Sequence, residues 1–150
     1  MVRIEGEIDI GRPVDEVFDL VADERNEPRY NPRMLRAEKI SPGPIGVGTR
    51  FRAEFKSWGR PVARSEITGY ERPRMLASAT HMSMMEVRGT LTFDRIPEGT
   101  RMRWSWELDL RGVFRLMGPL VARIGRRQEQ ATWASLKRHL EQQATPPPQN

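Results

Sequence analysis

Apolar and polar residues alternate from Val2 to Ile10, with Val2, Ile4, Gly6, Ile8 and Ile10 on one side and Arg3, Glu5, Glu7 and Asp9 on the other. A period of two marks a half-buried strand. Gly11 interrupts it, and Pro13 supplies the fixed φ that suits the first position of a helix. Asp15 and Glu16 follow, placed to meet the positive helix end. Val14, Val17, Phe18 and Val21 recur at i, i+3, i+4 and i+7, and Leu20 widens that apolar face. The helix ends near residues 23–27, where Pro28 and Pro32 leave room for a short second helix or a turn.

From Met34 to Leu110 the pattern becomes a series of strand-length pieces punctuated by Gly and Pro. Six strands are expected, at 36–40, 49–58, 62–70, 75–82, 85–94 and 100–110. Phe51, Ala53 and Phe55 oppose Arg50, Arg52, Glu54 and Lys56 in the second of these. In the last, Met102, Trp104, Trp106, Leu108 and Leu110 oppose Arg101, Arg103, Ser105, Glu107 and Asp109. Each strand thus has one dry face, and Met102, Trp104, Trp106 and Leu108 are expected to point inward.

After Gly112 the period turns helical and holds to about Gln143, with Phe114, Met117, Leu120, Val121, Ile124, Ala131, Leu136 and Leu140 on the expected inner face. Such a helix would be on the order of 40 Å long, with a late start or a kink near Pro119. The tail ATPPPQN is expected to be disordered, which gives one domain at 1–143 and a tail at 144–150.

Composition narrows the chemistry. The chain lacks cysteine, which removes disulfides, thiolate nucleophiles and cysteine-based zinc sites. It has only two histidines, His81 and His139, so no metal site and no cofactor are expected. The apolar runs are short and the N-terminus lacks a charged-then-apolar signal layout, which points to the cytoplasm. The formal net charge is +5, but the basic residues are scattered among acidic ones, so a solvated basic surface is expected rather than a nucleic-acid interface. The one tight basic cluster is Arg123, Arg126 and Arg127.

Five segments in order, IDIGRPVDEVFDLVAD, PRYNP, GPIGVGTRF, ITGYERPRMLA and GTRMRWSWEL, carry a resemblance that covers almost the whole chain. The chain resembles the START-like or SRPBCC superfamily and, within it, the bacterial polyketide cyclase/dehydrase and lipid transport proteins. The resemblance implies an α+β helix-grip fold: a curved seven-stranded antiparallel sheet wrapped around a long C-terminal helix, with one or two short helices after the first strand. It also implies a cavity that takes lipids, polyketides, aromatics or similar molecules. It does not fix one chemistry.

Small residues at Ala53, Ala77, Ala79, Gly89 and Ala131 offer space beside the aromatics. Phe51, Phe55, Met85, Trp104 and Trp106 are the expected apolar walls, with Met117 and Leu120 as a lid. His81 shares strand parity with Met75, Ala77 and Ala79, which turns it inward as a candidate acid/base or hydrogen-bonding group. Glu66, Glu86, Glu107 and Asp109 carry outward parity. Tyr70 points inward if a bulge at Gly69 shifts the register, and Tyr30 is expected at the cavity mouth. No Ser/His/Asp set, zinc-protease motif or phosphate-binding glycine loop is present. These positions favour a carrier of a hydrophobic small molecule. A polyketide cyclase or dehydratase using the same cavity is the alternative, and an RNA-binding toxin or regulator acting through Arg123, Arg126 and Arg127 is a weaker one. The expected partners are an apolar ligand and, at most, a weakly held second copy of the chain.

Overall fold

The computed structural model describes residues 1–143. Strand β1 (Val2–Ile10) leads to helix α1 (Val14–Ala22) and a 3-10 helix (Glu24–Arg29). Strands β2 (Met34–Lys39), β3 (Arg50–Phe55), β4 (Val62–Glu71), β5 (Met75–His81), β6 (Met85–Ile96) and β7 (Gly99–Leu110) follow. A second 3-10 helix (Gly112–Met117) then runs into α2 (Gly118–Gln143). All seven strands form one antiparallel sheet in the order β1-β7-β6-β5-β4-β3-β2. This is the helix-grip fold. The expected 144–150 tail lies outside the described residues.

Register decides which side chains face inward. The row Ile4, Trp106, Gly89, Ser78, Ile67 crosses the sheet on its concave side, and the row Gly6, Trp104, Leu91, Leu76, Tyr70 lies beside it. Met102, Trp104 and Leu108 are buried and Trp106 is half-buried, as the alternation along β7 requires. Tyr70 reaches the concave side because the β4–β5 register shifts between Ile67 and Gly69, and its ring meets Phe18 of α1 edge-on at 5.3 Å. The same register turns Ala77, Ala79 and His81 to the convex side, and it is Leu76, Ser78 and Thr80 that face in. Parity counted from Met75 placed β5 the wrong way round. A slip of one residue exchanges the two faces of a strand, and β5 has no charged row to oppose its apolar one.

Glycine at residue 89 is a packing requirement. A Cβ there would collide with the carbonyl of Ser105 and the ring of Trp106, so the sheet's centre is open enough for an indole only because that position has no side chain. Gly125 plays the same part for α2, since a Cβ would strike the side chain of Ile4. Close approach at Gly125 and Ala122 lays the first half of α2 on β1. The residues that touch the sheet and core are then Ala122, Thr132, Trp133, Leu136 and Leu140, all buried. Met117, Leu120, Ile124 and Ala131, expected on the inner face, are turned outward and exposed. Met117 and Leu120 therefore do not roof the concave side. The late start at Pro119 takes the form of the 3-10 helix, after which α2 runs on as a single helix from Gly118.

Candidate functional site

The concave side is lined by aromatics from three directions. Trp104 projects from β7, Trp133 from α2, and Tyr30 from the loop after the first 3-10 helix. The Trp133 ring lies 6.1 Å from that of Trp104 and 6.2 Å from that of Tyr30. Phe51 is buried in the same cluster, and Phe55, opposite Met34, is half-buried at the β2–β3 edge. Met85 belongs to a second, smaller cluster with Ile4, Leu108 and Leu110. Sheet and helix thus hold Phe51, Trp104 and Trp106 together. Phe55 and Met85 stand at opposite margins, and Met117, Leu120 and His81 lie outside.

Three carboxyl groups enter this apolar setting. Glu129 sits one helical turn before Trp133, and its Oε2 accepts from the indole nitrogens of both Trp133 at 2.8 Å and Trp106 at 2.9 Å. One carboxyl thereby ties β7 to α2. Glu24 Oε2 accepts from Ser65 Oγ of β4 at 2.9 Å, and Glu27 Oε1 accepts from Asn31 Nδ2 at 3.0 Å. The local sequence explains how Glu24 and Glu27 arrive there. The Asp23 side chain caps the 3-10 helix by accepting from Arg25 N at 3.1 Å, and the tight three-residue repeat stacks Glu24 over Glu27 on one side. Arg33 Nη2 donates to Thr132 Oγ1 at 3.1 Å, which brings one positive charge near Glu27 and Glu129.

The electrostatics follow from this geometry. Glu24, Glu27 and Glu129 are half-buried and largely surrounded by protein. Burial pushes Glu24 up to about 7. Burial first, and then repulsion from Glu24, pushes Glu27 up to about 8. The two titrate as a pair. Burial also raises Glu129, against the opposing pull of its two indole donors and Arg33. The phenol of Tyr30 is raised by burial and by the same three carboxylates. Raised proton affinity lets a carboxyl of this group donate a hydrogen bond when protonated as well as accept one when ionised. Among the described residues no cluster of His, Cys, Asp or Glu is arranged to hold a metal ion.

His81 lies on the convex face, where its Nδ1 is 3.1 Å from Glu86, a carboxylate also engaged by Arg111 at 2.6 Å. The group that sequence parity selected thus lies on the surface in contact with Glu86, and the titratable groups inside the fold were missed. For Glu129 a signal existed: it falls in the 3–4 spacing of Ala122, Gly125, Trp133, Leu136 and Leu140. For Glu24 and Glu27, in a proline-broken segment, no periodicity was available.

Comparison with known proteins agrees with this architecture. A START superfamily protein from Mycobacterium smegmatis superposes with a TM-score of 0.80 at 11% identity, over 95% of this chain and 99% of its own. A protein of Thermus thermophilus gives 0.77 at 19% identity, over 95% and 99%. The Zhui aromatase/cyclase from Streptomyces sp. R1128 gives 0.77 at 13% identity, over 95% of each chain. These similarities establish the shared fold. No curated protein matches the chain in sequence. The family model for polyketide cyclase / dehydrase and lipid transport matches residues 1–141, which is nearly the whole described chain, and the protein therefore belongs to that family.

Proposed function

We propose that the chain binds an apolar small molecule between the sheet and α2 and holds the molecule's polar end against the carboxyl groups of Glu24, Glu27 and Glu129. The observation that supports this reading is the convergence of those three carboxyls beside the aromatic cluster of Phe51, Trp104, Trp106 and Trp133 between sheet and helix. Such walls supply affinity, since a ligand burying roughly 300 Å² of apolar surface gains on the order of 7 kcal/mol. The carboxyls supply orientation and selectivity for a carbonyl, hydroxyl or amine, because an unsatisfied polar group in such a site is penalised by about 1–3 kcal/mol.

A second reading, cyclase- or dehydratase-type chemistry, is favoured by the titration range of the same groups. A carboxyl pair with affinities near 7 and 8 offers an acid and a base at the same pH, which proton transfer to and from a carbonyl compound requires. Titration with prodan, a neutral naphthalene bearing a carbonyl, tests the first reading. One probe per chain should bind at micromolar strength, and Phe55→Asp should weaken it about tenfold while circular dichroism stays unchanged. Absence of saturable binding would overturn it. Formation of an aromatic product from a linear poly-β-ketone thioester, lost in Glu27→Gln with probe binding retained, would move the assignment to the second reading.

A further inference from the structure

The second 3-10 helix and the first half of α2 present a surface apart from the concave face of the sheet. Val113, Leu116, Met117, Leu120 and Ile124 are all exposed, Leu116 to 87%. Leu120 and Ile124 stand one turn apart on α2 in one outward stripe, and Leu116 is exposed in the 3-10 helix just before it. Arg123 and Arg127 fall beside and between them. From Leu110 to Gln128 the chain carries five arginines and no acidic residue, so this short stretch alone holds a charge equal to the whole chain's net +5. Arg111 is paired with Glu86, whereas Arg115, Arg123, Arg126 and Arg127 are exposed and have no acidic partner within ion-pair distance among the described residues. Where the start of α2 meets β1 and β7 lies a depression of about 500 Å³, lined by Arg3, Arg115 and Arg126, by the apolar Val2 and Leu110, and by Asp109.

We infer that this face docks on an anionic lipid surface. Its two ingredients belong together only there. Aliphatic side chains exposed in a row are penalised in water and gain by entering the acyl boundary, while arginines flanking them reach back to phosphates. The other occupants fit less well. Nucleic acid would use the arginines but has no use for Leu116, Leu120 and Ile124, and the stripe presents no aromatic ring for bases to stack on, Phe114 being packed into the second cluster. A second copy meeting the same face about a two-fold axis would set Arg123 and Arg127 against like charges. No described helix is long and apolar enough to cross a bilayer, which leaves α2 lying along the surface.

Flotation with vesicles tests this. The full chain should bind vesicles of phosphatidylcholine mixed with phosphatidylglycerol, bind phosphatidylcholine alone at least tenfold more weakly, and lose binding as salt is raised. Arg123→Glu with Arg127→Glu should weaken binding by about tenfold or more. Leu116→Ser with Ile124→Ser should weaken it severalfold at low salt, where electrostatics alone would hold. These four side chains are exposed, so circular dichroism should be unchanged in both variants. Failure to bind the mixed vesicles overturns the inference, as does full binding by the Leu116→Ser, Ile124→Ser variant. A self-association in ultracentrifugation that this variant abolishes, without lipid binding, would assign the face to a second copy. Tighter binding of single-stranded RNA than of the vesicles would assign it to nucleic acid.

Discussion

Glutamine at residue 27 keeps the shape of the glutamate, and its Oε1 can still accept from Asn31, but it cannot ionise. In the unfolded chain Glu27 titrates near 4.5, whereas in the fold burial and the neighbouring Glu24 hold it up at about 8. Between those limits the folded state binds a proton that the unfolded state has released. Stability from this group is therefore fully present below about 4.5 and falls as pH rises through about 8. One pKa unit corresponds to about 1.4 kcal/mol, so the shift sets an upper bound of about 5 kcal/mol between the acid and alkaline limits. Water reaching the carboxyl and protonation of Glu24 in its place both relieve the repulsion, and about 2 kcal/mol is the expected share of Glu27 alone. The assay is urea denaturation of both proteins from about pH 5 to about pH 9. Other groups bend the absolute curves: Asp9, Asp19, Glu54 and Glu141 are held below their ordinary values chiefly by hydrogen bonds from arginine or lysine, and they destabilise the fold as acid protonates them. Subtracting wild type from Glu27→Gln removes these common contributions. The difference should be small near pH 5 and should favour the variant by about 2 kcal/mol near pH 9. A difference that is flat with pH, or a variant less stable in alkali, would refute the argument that Glu27 is buried at a penalty.

Gly89→Ala should lose about 1–3 kcal/mol in the same denaturation experiment, because the added methyl meets the Ser105 backbone and the Trp106 ring in the middle of the sheet. An unchanged stability would mean that β6 and β7 are not so closely apposed there. His81→Ala should change stability by less than about 0.5 kcal/mol and leave prodan binding intact, since His81 is exposed and Glu86 keeps Arg111 and Arg88. Loss of probe binding in this variant would return His81 to the site.

The succession of strands and helices along the chain was legible because each element rests on a local rule. Alternation over Val2–Ile10 and Arg101–Leu110 has charged residues at nearly every outward position, so inserting either strand upside down would bury several charges. β5 shows the limit of that rule. Met75–His81 contains no charge until its last residue, and either face can be buried at similar penalty, so only pairing with β4 and β6 decides that Leu76, Ser78 and Thr80 point inward. The bulge between Ile67 and Gly69 is part of that decision, and a bulge leaves little trace in composition.

The helix failed for a related reason. Bulky apolar residues in the first half of α2 suggest an inner face, but a helix that lies close on a strand needs small residues at the contact, and Gly125 and Ala122 meet Ile4 and its neighbours while Leu120 and Ile124 turn to solvent. The same reversal explains why the carboxyls were overlooked. A glutamate is ordinarily counted on the wet side, yet Glu129 shares its stripe with Trp133 and Leu136 because two indole donors from different elements, Trp106 of β7 and Trp133 of α2, satisfy its oxygens. Neither donor is predictable from helical period alone. A buried carboxyl and an exposed leucine stripe on one helix are thus two consequences of a single packing choice: small residues face the sheet, Glu129 is drawn in with them, and the large aliphatics remain outside for a partner of their own.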